Sequence, residues 1–453
     1  MFSKILIANR GEIAVRVNRT LRELGIASVA VHSDADADGM HVRGADEAVL
    51  IGTAPVADSY LRGDRIIQAA LDTGAEAIHP GYGLLAENPQ FARACAEAGL
   101  VFIGPDPASM EMMSSKIDAR AAMLAAGAPV VPGTTDPVES LDQARAIAAD
   151  IGFPVAVKAA SGGGGKGFRI AQDESELEDA LRGAADEGRR FFGDGTVYLE
   201  RYLVDPRHVE VQVIGDHHGN IVHLYERDCS IQRRHQKLIE EAPSPRLSPE
   251  LREQIGRIAV DAARAAQYWS LGTVEGLLVG DEFFFLEMNT RVQVEHPVTE
   301  MVTGLDLIEE QLHVAAGDPL RFGQQDVTVT GHAIECRLNA ENAAKNFRPA
   351  PGSLTTFDIA EGEHVRVDAG LGSGDVIHPF YDPMIAKVIA WAPTREEATA
   401  RMLATLDRAT IDGVSSLLPF HRAILRTQQW KDAETCRDLI GDRAWLRETD
   451  SWS

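Results

Sequence analysis

Apolar runs of strand length alternate with helix-like stretches through the first hundred residues, and this alternation commits the start of the chain to a parallel sheet with helices on its faces. Ile5-Leu6-Ile7-Ala8 reads as a buried strand, Glu12 to Leu24 as a helix that stops at Gly25, and Ala27 to Val31 as the next strand. Ala77-Ile78-His79 and Val101-Phe102-Ile103 repeat the pattern, the latter ending at Gly104-Pro105. Pro129 to Gly133 reads as a hinge into a second unit. That unit opens with Val155-Ala156-Val157-Lys158, a strand ending in a lysine. Further on, Ser248 suits an N-cap, with Pro249 at the first helical position and Glu250 in the first turn. From Gly331 the chain turns strand-rich, then helical from Thr394 to Asp407. Its 453 residues predict about three domains.

Composition narrows the function classes. A hydrophobic content of 45% supports folded cores, and no apolar run reaches membrane-spanning length. The four cysteines, Cys95, Cys229, Cys336 and Cys436, are too scattered for a disulfide framework or a zinc cluster, which predicts a reduced, cytoplasmic protein. A net charge of −24 predicts no nucleic-acid partner and no membrane partner. A phosphate ligand would then require local cations and backbone amides.

Two stretches suggest such a ligand. Ser161-Gly162-Gly163-Gly164-Gly165-Lys166-Gly167 follows the Lys158 strand, and Phe168-Arg169-Ile170 reads as a return strand. Glycines in this density suit backbone amides closing around phosphate, and they equally suit a plain surface loop. The run is not a Walker A motif. Ser230 to Lys237 is a basic run inside an acidic protein, containing Gln232, Arg233, Arg234, His235 and Lys237, and Leu238-Ile239 continue it as an alternating strand. Arg207-His208 is a weaker signal of the same kind. Arg337 sits at a strand end, and His79-Pro80-Gly81-Tyr82-Gly83 reads as a turn carrying an aromatic.

Thr273 to Glu300 is the most informative stretch. Thr273 to Leu278 and Phe283 to Met288 read as a hairpin around Gly280-Asp281-Glu282, with Val279 facing Phe283 and Glu275 facing Glu287. Opposed carboxylates repel, so the pair predicts a cation between them, with Mg²⁺ or Mn²⁺ as the oxygen-loving choice. Glu287, Asn289, Arg291, Gln293 and Glu295 lie two apart and share one face of an extended chain. Such a strand would span roughly 26 Å, more than one small site, so a bend is expected before Glu295.

Taken together, these motifs resemble the biotin carboxylase family of the ATP-grasp superfamily over nearly the whole chain. The resemblance rests on Ile7 to Ala14, His79 to Gly83, the glycine loop, Arg233 to Lys237, Glu287 to Pro297 and Glu335-Cys336-Arg337. It implies a mixed α/β and α+β, three-domain ATP-grasp architecture: an N-terminal parallel-sheet domain at 1–114, an ATP-grasp domain at 115–330 with a mobile glycine-loop lid at about 131–203, and a strand-rich C-terminal domain at 331–446. It implies that ATP is held by Lys116, Lys158, Gly163, Gly164, Gly165, Glu200, Arg201, Leu203, His208, Gln232 and His235, and the metal by Glu275, Glu287 and Asn289. Bicarbonate would fall to Arg291, Gln293 and the Val294 backbone, and biotin to Tyr82 and Arg337. The catalytic groups implied are Lys237, Arg291, Glu295 as the base, and Arg337.

The sequence departs from the family at several points. Gly276 replaces a large apolar residue, which is expected to loosen the adenine side of the pocket. Phe168 replaces a frequent Met, and Ser415-Ser416 stands where Thr-Asn is usual. Glu363 replaces an interface aromatic, although Arg19, Glu23 and Arg366 fit a homodimer. No Met-Lys-Met segment is present, and the third domain ends close to the chain end. The expectation is therefore a separate biotin carboxyl carrier protein and separate carboxyltransferase subunits. The resemblance also leaves two other readings: a subunit of a pyruvate or other 2-oxoacid carboxylase, and another ATP-grasp ligase.

Overall fold

The structure, a computed structural model, describes residues 1–134, 136–160 and 167–452. The alternating start forms a five-stranded parallel sheet in the order Glu47–Gly52, Ala27–Ser33, Lys4–Ile7, Ala77–His79, Val101–Phe102. Side-chain alternation divides the first strand between two cores. Ile5 and Ile7 pack with Val17 and Leu21 of the helix Gly11–Glu23, whereas Leu6 packs with Tyr60 and Ile66 on the opposite face. Burial on both faces explains why the strand reads as an unbroken apolar run. The strand order reverses between Lys4–Ile7 and Ala77–His79, so the residues just after them, Asn9 to Glu12 and Pro80 to Tyr82, meet at a crevice of the kind ligands use.

Residues 131–203 contain a smaller antiparallel sheet, Phe168–Ala171, Val155–Ala159, Val197–Arg201, covered by the helices Leu141–Ile151 and Glu174–Phe192. Val155, Val157, Leu177 and Leu199 form its own core. Phe168 returns beside Lys158, as the hairpin reading expects.

The largest sheet has eight strands, each antiparallel to its neighbour: Glu282–Asn289, Ser270–Val279, Arg207–Gly215, Ile221–Arg233, Gln236–Ala242, His332–Asn339, Met384–Ala392 and Val365–Ala369. The sheet runs without interruption past residue 331. Ile239 pairs with Cys336, and Glu240 with Glu335. This pairing brings Arg337 beside the strand that carries Lys237. The helix Pro249–Ala265 starts as its sequence reads, with the Ser248 side chain accepting from the Leu251 amide.

Gly276 does not line the ligand cleft described below, so its small size does not loosen that pocket. A Cβ there would come within 2.2 Å of the Phe283 ring and 2.8 Å of the Phe284 carbonyl, because Phe283 fills the space a larger side chain would need. Gly276→Ala is expected to cost about 1–3 kcal/mol of stability through overpacking, measured by chemical denaturation.

A buried ion network ties the N-terminal helix to the C-terminal sheet. Glu300 accepts from Arg16 at 2.7 Å and from Arg366 at 2.6 Å. Burial pushes the Glu300 carboxyl up, but Arg16 and Arg366 outweigh it and hold the pKa below the usual 4.5. A depressed folded-state value adds stability above the unfolded pKa and loses it as pH falls through the folded one. Glu300→Gln should therefore cost about 3–5 kcal/mol at neutral pH. The gap between wild type and variant should narrow below about pH 4.5 in denaturation curves across pH.

Candidate active site

The small sheet, the large sheet and the 290–295 segment enclose a cleft of about 1200 Å³. One wall carries Lys158, Glu200, Arg201 and Leu203. Another carries His208, Gln232, His235 and Lys237, and the floor carries Glu275, Glu287, Asn289, Arg291, Gln293, Val294, Glu295 and Arg337. Gly163, Gly164 and Gly165 lie outside the described residues. Lys116 begins the helix Lys116–Ala125, and its side chain is likewise outside the description. Tyr82 is not on the cleft wall. Its hydroxyl is donated to Glu12.

The hairpin turns on two residues, not three. Val279 pairs with Glu282 across Gly280-Asp281, with Gly280 at φ +57°. The register then shifts between Glu275 and Gly276 so that Leu286 is extra, and this bulge restores Glu275 opposite Glu287. The bend expected before Glu295 is present: the strand ends at Asn289. The Thr290 amide and the Arg291 Nε both donate to Glu87, at 3.0 and 2.9 Å. His296 Nδ1 donates to the Gln293 carbonyl at 2.7 Å, and Glu295 is the N-cap of the helix His296–Thr303. The chain bends at Arg291 and still keeps the alternating polar residues on one cleft surface.

At the floor, the Lys237 ammonium lies 2.5 Å from Glu210, 3.0 Å from Glu275 and 2.5 Å from Glu295. Arg337 donates to the other oxygen of Glu295 at 2.9 Å and, through Nε, to Glu240 at 2.5 Å. Burial pushes the Glu295 carboxyl up, but Lys237, Arg337 and Arg227 hold it well below the usual carboxylate range. Burial works against the Lys237 charge, and Glu210, Glu275 and Glu295 together raise its pKa well above that of an ordinary lysine. Glu240 is pushed by burial up to about 7, against the pull of Arg337. Glu295 is thus an anion held between two cations.

Glu275, Glu287 and Asn289 offer hard oxygen donors from adjacent strands, a set that fits Mg²⁺ or Mn²⁺. Glu275 is already engaged by Lys237, Gln293 and His208, the last at 2.9 Å. Burial lowers the His208 pKa, and Glu275 more than offsets it, so the ring is raised toward the charged form. A second close group, His208, Glu210 and Glu275, has ligand atoms within 4.8 Å of one another, but Lys237 already supplies a cation there.

Comparison with known proteins fits this geometry. Residues 1–110 match the biotin carboxylase N-terminal domain, 115–322 the ATP-binding domain of carbamoyl-phosphate synthase L chain, and 335–442 the biotin carboxylase C-terminal domain. The biotin carboxylase of Halalkalibacterium halodurans is 51% identical over 441 residues, covering 97% of each protein. The chain belongs to the biotin carboxylase family. A pyruvate carboxylase subunit of Methanothermobacter thermautotrophicus is 52% identical over 96% of this chain and 88% of its own. The biotin carboxylase domain dimer of Hydrogenobacter thermophilus 2-oxoglutarate carboxylase, solved with MgADP, ADP and bicarbonate, superposes with a TM-score of 0.91. It is 45% identical over 98% of this chain and 99% of that one.

Several residues that shape this biotin carboxylase cleft escape sequence reading. Arg227 is fully buried and reaches Glu210, Gln212, Thr273, Gln293 and Thr299. Glu87, far away in sequence, clamps Arg291. For Glu210 a signal existed, since it alternates with His208 and Gln212 on one face of its strand. Glu87 and Glu240 act through contacts that no local pattern reveals. Glu287→Ala is expected to raise the Mg²⁺ concentration for half-maximal ATP turnover by about tenfold. A metal titration checks it, and a curve matching wild type would reject Glu287 as a ligand.

Proposed function

We propose that this chain uses ATP and bicarbonate to carboxylate biotin on a separate carrier protein, the first half-reaction of an acyl-CoA carboxylase such as acetyl-CoA carboxylase. The carrying observation is Glu295, held between Lys237 and Arg337, on the same surface as Arg291 and Gln293. Arg291, Gln293 and the Val294 backbone bind bicarbonate. Glu295 takes its proton as it attacks the γ-phosphoryl group of ATP, which forms carboxyphosphate and releases ADP. Lys116, Lys158, Lys237 and the glycine loop Gly163 to Gly165 hold the phosphates. Glu200, Arg201, Leu203, His208, Gln232 and His235 hold the rest of the nucleotide. A divalent ion at Glu275, Glu287 and Asn289 would neutralise charge on the transferred phosphoryl group.

Carboxyphosphate breaks down to CO₂ and phosphate, and that phosphate takes the proton from the biotin ring nitrogen. Arg337 stabilises the negative charge on the biotin oxygen, and Tyr82 with Glu12 closes this end from the N-terminal side. The glycine-loop unit, about 131–203, acts as a lid that shields carboxyphosphate from water. The carrier and carboxyltransferase subunits are separate partners in this reading. A homodimer is supported by the dimer named for the Hydrogenobacter domain. Four buried cysteines with no disulfide among the described residues support a reducing, cytoplasmic setting. The identity to the Methanothermobacter pyruvate carboxylase subunit favours a second reading, in which the acceptor is pyruvate or another 2-oxoacid.

The test is phosphate release from MgATP with bicarbonate, plus and minus free biotin. Release should require bicarbonate and rise with biotin. Glu295→Gln should keep nucleotide affinity and lose about 10²-fold or more in bicarbonate-dependent turnover. Unchanged turnover would remove Glu295 as the base, and release indifferent to bicarbonate would point to another ATP-grasp ligase.

A further inference from the structure

Lys387, on the strand Met384–Ala392, is fully buried. An interior ammonium is costly unless its donors and its charge are all answered. Here one partner, Val294, lines the cleft, and the others are the buried carboxylates of Glu12 and Asp368. Lys387 Nζ donates to the Val294 carbonyl at 2.7 Å, lies 3.2 Å from Glu12 and 4.0 Å from Asp368. The other oxygen of Glu12 accepts from the Tyr82 hydroxyl.

The Val294 carbonyl belongs to the peptide that leads into Glu295. This peptide lies outside the sheet, between the end of the Glu282–Asn289 strand and the start of the His296–Thr303 helix, so no ladder fixes its plane. Neighbouring groups are held separately, Thr290 and Arg291 by Glu87 and the Gln293 carbonyl by His296. Lys387 supplies the bond at the remaining position. Rotation of that peptide would change the direction in which the Glu295 side chain leaves the backbone. It would thereby move the carboxylate relative to Lys237, Arg337 and the bicarbonate groups.

Resting on the biotin carboxylase reading above, we propose that Lys387 is a positioning residue: by anchoring the Val294–Glu295 peptide it sets the base against bicarbonate, and through Glu12 it keys that setting to Tyr82. One buried lysine thus joins the C-terminal sheet, the bicarbonate segment and the N-terminal crevice. A residue of hydrophobic shape would fill the volume and leave the Val294 carbonyl without this donor.

The experiment uses the full chain. Bicarbonate-dependent phosphate release is first established for wild type, and its absence would count against the function reading alone. Lys387→Met is then compared by steady-state kinetics and by nucleotide binding. The expected result is a fall of about fivefold or more in kcat/KM for bicarbonate, with the dissociation constant for ADP within about twofold of wild type. A purely structural lysine would weaken both together. Should Lys387→Met not fold, Lys387→Arg keeps the charge beside Glu12 and Asp368 while displacing the donors, and the same split is expected of it. A smaller fall, a parallel loss of ADP affinity, or failure of both variants to fold overturns the proposal.

Discussion

Three carboxylates, from Glu210, Glu275 and Glu295, converge on the single ammonium of Lys237. Gathering like charges in a buried floor would be prohibitive without that cation, and without Arg227 and Arg337 behind it. The rest of the site follows from this arrangement. Glu295 stays ionised because cations surround it, and Glu275 keeps one edge toward Lys237 and the other toward His208. The large sheet is arranged to deliver these groups. Glu210, Lys237, Glu275 and Arg337 come from four of its strands, and Glu295 from the helix start beside them.

A protein this acidic overall concentrates positive charge where an anionic substrate would enter. Arg233, Arg234, His235 and Arg291 line the same cleft as the buried carboxylates. Such clefts focus the field on incoming anions, while the remaining surface discourages unrelated polyanions. Attraction of anions to the cleft thus follows from where the cations are placed, with no need for a basic protein.

Local signals in the sequence translated well into structure. The Ser248-Pro249 start, the strand–helix alternation and the Lys158 hairpin each depend on neighbours within a few residues, so their physics is written locally. The Glu275–Glu287 pairing was legible for a less secure reason, because a turn read one residue too long was offset by the bulge at Leu286. The bend before Glu295 was legible from length alone, but not its place, because Glu87, two hundred positions away, captures the backbone at Thr290. Arg227, Glu240 and Lys387 were not legible at all. Each looks like an ordinary charged residue in a strand, and its meaning comes from partners that only the folded chain supplies.

The pairing of Gln236–Ala242 with His332–Asn339 has a practical consequence for dissecting the protein. A fragment cut near residue 330 would strip one side of a strand that holds Leu238 and Ile239 in the core, leaving a row of open amides and carbonyls beside apolar side chains. Exposed edges of that kind recruit other chains. The central and C-terminal segments therefore form one inheritable unit for shuffling or truncation, and the natural seam lies at the segment 131–203, which has a sheet and core of its own.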